Sequence, residues 1–175
     1  MKHPQIPGNQ QTMTTPKQLS ASLEDYLETI FHIIAEKQVA RAKEIASILK
    51  VSRSSVTEAF RSLAQKGLIN YAPYEVITLT AAGQEMAKDV ILRHRALKDF
   101  FIKVLAVREN IAEEGACKIE HAAPREIIER LTQFVTFIEQ CPRGGKDLIS
   151  GFSKYCQTGK TDQKCRACIA HCLEK

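Results

Sequence analysis

The chain has 175 residues, 44% of them hydrophobic, and a formal net charge of +5, which suits one or two small domains with a real core. No apolar run approaches the roughly 18 residues that a membrane helix needs. Residues 1–18 lack the apolar stretch of a secretory signal, and their Pro, Gln and Thr content predicts a flexible tail. Composition therefore excludes membrane and secreted proteins, and we expect a cytoplasmic protein.

Charge is distributed unevenly along the chain. Residues 41–66 carry six basic side chains against two acidic ones, and residues 21–40 carry four acidic side chains against one basic one. A basic block commonly contacts a polyanion, whereas an acidic block attracts cations. The sequence therefore favours a protein that contacts nucleic acid and also captures a cation.

Residues 22–66 have the pattern of a helix-turn-helix. Apolar residues at helical spacing predict helices over 22–37 and 41–50. After a short turn, Ser52 suits an N-cap and Gly67 a C-terminal stop, which predicts a third helix ending near Lys66. This third helix has one apolar and one polar-basic face, as a DNA-reading helix does.

A hairpin wing and three further helices follow. Two β-rich segments, 68–71 and 76–79, predict the wing, and apolar spacing predicts helices over 81–106 and 110–121 and from Pro124 onward. The long helix carries His94 on its buried stripe, where a core histidine with a backbone partner is the ordinary interpretation. The last helix has a wide apolar stripe that suits either an intramolecular core or a dimer interface.

The run Cys117-Lys-Ile-Glu120-His121 is the most informative stretch. On a helix, positions i, i+3 and i+4 share one face, so a thiol, a carboxylate and an imidazole converge there. These are the side-chain classes that bind divalent transition metals. Alone, the run also fits an exposed Glu-His pair beside an unrelated cysteine.

Five of the six cysteines lie in the last 35 residues. In a chain without an export signal, such a cluster favours metal binding over disulfides. The spacing of Cys156, Cys165, Cys168 and Cys172 suits a Cys₄ zinc site or a [4Fe–4S] cluster, with His171 as an alternate ligand. Cys141 is either a ligand or structural. The alternative interpretation is a set of reduced, redox-sensitive thiols.

Five separated motifs add a further line of argument. They are Leu23-Glu-Asp-Tyr-Leu-Glu28, Val51-Ser-Arg-Ser-Ser-Val-Thr57, Gly67-Leu-Ile, Arg93-His94 and Cys117-Lys-Ile-Glu-His121. In order and separation they resemble the diphtheria-toxin-repressor family, and more closely its manganese-transport-regulator branch, over about residues 19–140. The resemblance implies a mainly α protein. A winged helix-turn-helix DNA-binding domain (19–80) would precede an all-helical dimerisation and metal-binding domain (81–140) and a Cys-rich tail (141–175).

The resemblance also implies a metal site between the two domains. Its ligands, carried over by position, are Asp25, Glu28, His94, Cys117, Glu120 and His121. Cys117 departs from the manganese branch, which has glutamate there, and Asp25 departs from the iron branch, which has methionine. A thiolate among hard oxygens shifts preference toward later metals, so we expect Fe²⁺, with Mn²⁺ a close alternative. Glu113 occupies a position of an ancillary site of the iron branch, but Lys98 stands where a carboxylate would be.

These expectations define a function. Metal binding would activate a homodimer for a palindromic operator, with half-sites roughly 34 Å apart or a multiple of that. The target would be metal-uptake genes, most simply under repression. The expected DNA-contacting residues are Lys43, Lys50, Ser52, Arg53, Ser54, Ser55, Thr57, Glu58, Arg61 and Lys66. The polar stripe of the third helix would face the major groove, and the surrounding basic residues would touch phosphates.

Two other classes of function remain open from the sequence. A regulator could sense redox state or an Fe–S cluster through the tail cysteines. A metalloenzyme could use a Cys/Glu/His site to activate water, but the chain lacks a nucleophile motif and a Gly-rich phosphate loop. We therefore expect no enzyme activity, no small-molecule substrate and no membrane partner.

Overall fold

The computed structural model describes residues 19–72, 76–141 and 145–160, and the predicted N-terminal tail, residues 1–18, lies outside them. The first three helices are α1 (Ala21–Lys37), α2 (Ala42–Ile48) and α3 (Arg53–Gln65). Ser20 caps α1 and Ser52 caps α3, each through its hydroxyl oxygen, which accepts a backbone N–H three residues on. The helix-turn-helix and the N-cap at Ser52 are confirmed.

The turns that end α2 and α3 both need a left-handed residue. Lys50 lies at φ 55° and Gly67 at φ 71°, and the next residue's N–H bonds back into the last helical turn, from Val51 to Ala46 and from Leu68 to Leu63. This is the usual hydrogen-bond pattern of a helix C-terminus. Gly67 is the predicted stop, whereas Lys50 adopts the same conformation with a side chain that disfavours it.

The wing is a short antiparallel hairpin. Strands β1 (Ile69–Asn70) and β2 (Thr78–Leu79) pair with Ile69 opposite Leu79 and Asn70 opposite Thr78, and an isolated bridge joins Ala40 to Ile77. The strands are shorter than predicted, because only two residues on each side pair before the chain leaves the ladder. Residues 73–75 of the predicted turn lie outside the described part.

Four more helices follow in the described part of the chain: α4 (Ala81–Lys103), α5 (Glu109–Ile119), α6 (Arg125–Gln140) and α7 (Gly145–Thr158). The prediction that α4 extends to residue 106 is wrong. Ala106 lies at φ 53°. On either side of it, the Leu105 amide donates to the Phe100 carbonyl and the Val107 amide donates to the Phe101 carbonyl, which closes a turn. Helix α7 was not predicted, because the cysteine spacing there favoured a tail.

The described residues form two hydrophobic clusters. The larger one joins α1, α2, α3 and the wing around fully buried Leu27, Ile30 and Phe60. The smaller one joins α4, α5 and α6 around Leu97, Ala116 and Ile128. The mainly α architecture, a winged helix-turn-helix followed by an all-helical unit, is thus confirmed. Among the described helices, none is long and apolar enough to cross a membrane.

Helix α6 buries only part of its apolar stripe. Ile128, Val135 and Ile138 are buried, whereas Ile127 and Phe134 are about half exposed. The exposed side chains line a groove of about 600 Å³ together with Phe100 and Leu131 of α4 and α6. This arrangement favours the second of the two uses predicted for the stripe, an interface with another chain.

Candidate metal centre and DNA-binding face

The candidate metal centre lies where α1 of the DNA-binding unit meets α4 and α5. Two groups of possible ligand atoms each lie within 4.8 Å of one another, one from His94, Cys117 and Glu120 and one from Asp25, Glu120 and His121. Glu120 belongs to both groups. Five of the six predicted ligands therefore converge on one carboxylate.

Glu120 is the buried centre of this cluster. Its side chain is 1% exposed, and its Oε2 lies 2.6 Å from His94 Nδ1. Its Oε1 is buried and finds no hydrogen-bond partner among the described residues, although His121 Nε2 lies 3.3 Å away. Burial raises the pKa of the Glu120 carboxyl, and the charge of Glu28 raises it further. An orphaned buried oxygen between two imidazoles fits a bound cation.

His121 is held by two carboxylates, one at each ring nitrogen. Its Nε2 lies 2.8 Å from Asp25 Oδ1, and its Nδ1 lies 2.7 Å from Glu24 Oε2. Arg93 donates to the same Glu24 oxygen at 3.0 Å and to the Glu120 carbonyl at 2.7 Å. Burial lowers the pKa of the His121 imidazole, but the bond to Glu24 and the surrounding carboxylates outweigh it, so the pKa is raised.

Glu24 is a residue of the site that the sequence reasoning missed. It is 7% exposed and lies on the buried side of α1, three residues before Leu27. An acidic residue beside an apolar helical stripe is the signal that could have found it, because a buried carboxylate needs a partner. Arg93 appeared in a motif of the sequence, but its contacts to Glu24 were not predicted.

Cys117 and Glu28 complete the predicted ligand set at its edge. Burial raises the pKa of the Cys117 thiol, and the nearby carboxylates, Glu120 first, raise it further. Glu28 lies outside both ligand groups found in the described residues, and its Oε1 lies 3.5 Å from His32 Nε2. His32 is thus a half-exposed surface partner of Glu28.

Glu113 lies next to the centre but is already paired. Its Oε1 lies 3.2 Å from His94 Nε2, and its Oε2 lies 2.8 Å from Lys98 Nζ. Lys98 also contacts Glu109 at 3.2 Å. The hydrogen bond to Lys98 lowers the pKa of Glu113, and that to Glu113 raises the pKa of Lys98.

The predicted DNA-contacting residues lie around α3. Ser52 accepts the Ser55 amide at 3.1 Å and bonds to the hydroxyls of Ser54 and Ser55 at 2.7 and 2.8 Å. Thr57 bonds its own helix, donating its hydroxyl to the Arg53 carbonyl at 2.9 Å. The hydroxyls of this first turn are thus partly engaged in the helix. The exposed members of the set are Lys43, Lys50, Ser52, Arg53, Ser54, Ser55, Glu58, Arg61 and Lys66.

The predicted tail centre falls largely outside the described residues. Cys165, Cys168, His171 and Cys172 lie beyond residue 160. Cys156 is exposed on α7, and Cys141 is partly buried at the end of α6. The tail assignment stays a prediction.

Comparison with protein families gives two adjacent matches. Residues 18–77 match the family described as "Iron dependent repressor, N-terminal DNA binding domain". Residues 80–149 match "Iron dependent repressor, metal binding and dimerisation domain". The junction between the two matches falls at the start of α4.

Individual relatives agree. An uncharacterized HTH-type transcriptional regulator of Methanocaldococcus jannaschii is 42% identical over 118 residues, covering 67% of this chain and 94% of the relative. The HTH-type transcriptional regulator MntR of Bacillus subtilis is 34% identical over 138 residues, covering 79% and 93%. The structure of the manganese regulator SloR is 28% identical with a TM-score of 0.59, and the match covers 70% of this chain but 57% of SloR.

Proposed function

Because this chain belongs to the iron-dependent repressor family, a family of metal-dependent transcriptional repressors, we propose that a divalent cation between its two units activates operator binding. The ligands we assign are Asp25, Glu28, His94, Cys117, Glu120 and His121. DNA binding and dimerisation follow from the two family domains.

One observation carries the metal assignment: the Glu120 carboxylate is 1% exposed and its Oε1 lacks a hydrogen-bond partner in the described structure. A buried carboxylate oxygen without a partner is costly. A divalent cation supplies the charge that such an oxygen and its neighbouring carboxylates need. His94 Nδ1 lies 2.6 Å from Glu120 Oε2, and His121 Nε2 lies 3.3 Å from Oε1; these are contacts that metal binding would replace.

The donor set supports Fe²⁺, with Mn²⁺ a close alternative. Carboxylate oxygens suit Mn²⁺, imidazoles suit Fe²⁺, and the Cys117 thiolate shifts preference toward the later metals. The thiol must lose its proton to bind, and its raised pKa makes that loss the costly part. The structurally similar SloR is a manganese regulator. Because a thiolate favours later metals, we assign the choice of metal in this chain to Cys117.

The position of the ligands couples metal to DNA. Asp25 and Glu28 belong to α1, which packs in the same core as the recognition helix α3. His94, Cys117 and Glu120 belong to α4 and α5, which form the second core with α6. A cation bound by both sets of ligands would fix α3 relative to the dimerisation helices. In a homodimer this fixes the distance between the two α3 helices, which must match the half-sites of a palindromic operator.

On the DNA side, we assign base contacts to the exposed stripe of α3. Ser54, Glu58 and Arg61 occupy positions i, i+4 and i+7, on one face, and Thr57 lies beside them. Lys43, Lys50, Arg53 and Lys66 flank this face and are assigned to phosphates. Because operator binding would respond to metal, we propose that the protein represses genes of metal uptake.

The test is anaerobic operator binding by fluorescence anisotropy with Fe²⁺, Mn²⁺, Zn²⁺ or none. We expect metal to tighten binding and Glu120→Gln to abolish that effect. Glu114→Gln is the matched control, because Glu114 lies on the same helix and pairs only at the surface with Lys118. Affinity that ignores both metal and Glu120→Gln contradicts the proposal. Affinity that ignores metal but follows thiol oxidation supports the redox alternative.

The tail cysteines remain a separate proposal for a second centre. Cys156 is exposed, and the sequence spacing of Cys156, Cys165, Cys168 and Cys172 suits zinc or an Fe–S cluster. Anaerobic purification with metal analysis tests it. A bound equivalent that disappears on Cys→Ser substitution supports the centre, and no bound metal contradicts it.

A further inference from the structure

We propose that the Lys98 ammonium takes the place of an ancillary cation at Glu113, so that no ion binds between Glu113 and Glu109. The inference rests on the proposed metal site and concerns the position beside it. The family resemblance implies an ancillary ion at Glu113, and the side chains around Glu113 do not fit one.

The misfit lies in the position of the Lys98 ammonium. Its Nζ lies 2.8 Å from Glu113 Oε2 and 3.2 Å from Glu109 Oε1. The Lys98 side chain is 28% exposed, whereas the glutamates are more than half exposed. Because the ammonium lies between these two carboxylates, its positive charge would repel a divalent ion at the same place. The oxygens that would attract the ion are already paired.

Glu113 connects this ammonium to the metal centre. One carboxylate oxygen pairs with Lys98, and the other lies 3.2 Å from His94 Nε2. The opposite ring nitrogen, Nδ1, lies 2.6 Å from Glu120. A proton on Nε2 that is donated to Glu113 leaves Nδ1 as the acceptor that faces the cluster. Lys98 is therefore a positioning residue, which acts through Glu113 on the tautomer of His94.

The second imidazole of the centre has the same arrangement. His121 Nδ1 contacts Glu24, which Arg93 holds, and Nε2 faces Asp25 and Glu120. Each imidazole thus lies between the cluster and a carboxylate that is paired with a cation. This repetition supports an orienting function for Lys98, because Arg93 fulfils the equivalent position on the other imidazole.

The experiment counts bound Mn²⁺ on the full chain. Mn²⁺ is a hard ion that discriminates against the cysteine tail, and its EPR spectrum distinguishes an isolated ion from two ions in close proximity. The variants are Lys98→Glu, which replaces the ammonium by a carboxylate, and Lys98→Gln, which removes the charge at similar length. Lys103→Met is the matched control. Lys103 lies on the same helix as Lys98 but away from the centre, and it also contacts two carboxylates, those of Asp99 and Glu139.

We expect the wild type and Lys103→Met to bind the same number of ions. Lys98→Glu should bind one ion more than the wild type, with a spectrum that shows its proximity to the centre. Lys98→Gln should bind that additional ion more weakly and reports on charge alone if Lys98→Glu fails to fold. An ion count in both Lys98 variants equal to that of the wild type overturns the inference.

Glu120→Gln separates this inference from the proposed function. If the wild type binds Mn²⁺ and Glu120→Gln does not, the metal centre stands, and only the count of ions decides the function of Lys98. If the wild type binds no Mn²⁺ that is sensitive to Glu120→Gln, the metal centre fails, and the inference fails with it.

Discussion

Glu24 on α1 and His121 after α5, 97 positions apart, lie 2.7 Å from each other through Oε2 and Nδ1. This contact crosses from the DNA-binding unit to the dimerisation unit. It sets the direction of the imidazole, because Nε2 then faces Asp25 and Glu120. The two units are therefore connected through Glu24, which contacts the predicted ligand His121, as well as through the predicted ligands themselves.

Glu24→Gln should weaken metal binding without unfolding the chain. The amide removes the negative charge that favours a proton on Nδ1, and loss of such a partner typically costs roughly 10–100-fold in metal affinity. Isothermal titration with Mn²⁺ measures the change. Glu36→Gln, at an exposed position of the same helix, is the control. Unchanged affinity, with an unchanged melting temperature of the unliganded protein, would contradict the contact's function.

Cys117→Glu should shift metal preference toward Mn²⁺. A carboxylate replaces the one soft ligand of the set, and hard oxygens favour Mn²⁺ over later metals. We expect the ratio of the Fe²⁺ and Mn²⁺ dissociation constants to change about tenfold, which is about 1.4 kcal/mol. Anaerobic titrations of each metal measure it. Cys156→Ser, which alters an exposed cysteine on α7, should leave the ratio as it is, and an unchanged ratio in Cys117→Glu would refute the assignment.

The stabilisation by metal should grow as pH rises above 6.5, the ordinary pKa of histidine. A folded-state pKa that is raised contributes stability at low pH that is lost as pH rises through it. The loss begins above 6.5 for His121, above 4.5 for Glu120 and above 9.0 for Cys117. The unliganded protein should therefore lose stability in this direction. Metal binding needs the deprotonated groups and should strengthen in the same direction.

Thermal melts with and without Mn²⁺, on both sides of that pH, measure the difference in Tm. A metal-induced increase in Tm that is equal on both sides would show that these groups do not release protons to the metal. Cys117→Ser should retain the part of the pH dependence that comes from His121.

Lys50→Gly should stabilise the fold and weaken DNA binding. Lys50 lies at φ 55°, a left-handed conformation that costs a residue with a side chain about 1 kcal/mol. Loss of its ammonium should reduce the slope of log affinity against log salt by about 1. Gln38→Gly is the matched control, because Gln38 lies at φ 65° at the end of α1 and should gain stability without any change in DNA affinity. Equal DNA binding by the two variants would remove Lys50 from the phosphate contacts.

Gly83→Ala should destabilise the junction between the wing and α4. A Cβ at this position would lie 1.9 Å from the Leu68 carbonyl oxygen, and the same oxygen accepts from Thr80. Because backbone must move to relieve the overlap, we expect a loss of about 1–3 kcal/mol. Chemical denaturation measures it. Gly115→Ala is the control, since its nearest contact would be a Phe101 ring atom at 3.4 Å. Similar losses in both variants would contradict the argument.

Local pattern was enough for most of the fold. Ser52 and Gly67 each act within a few residues along the chain, and apolar periodicity reports directly on which helical face is buried. The same locality explains why Cys117 and His121 each lie close to Glu120, because Cys117 lies within one helical turn of Glu120 and His121 follows it directly. The predicted end of α4 was too late, because apolar periodicity continues into the turn that ends the helix. Helix α7 was missed, because the cysteine spacing there indicated a tail.

What the sequence alone determined was therefore helices α1 to α6, the winged helix-turn-helix and the choice of candidate ligands. Only the tertiary structure decided how their ring nitrogens and oxygens pair. Glu24 with His121 and Glu113 with His94 are contacts between separate parts of the chain, and no periodicity within one helix encodes them. The sequence showed only that Lys98 stands in place of a carboxylate of the ancillary site, and the structure shows where its ammonium lies. Its function depends on a distance of 2.8 Å between Nζ and the Glu113 carboxylate, which is set by the packing of α4 against α5.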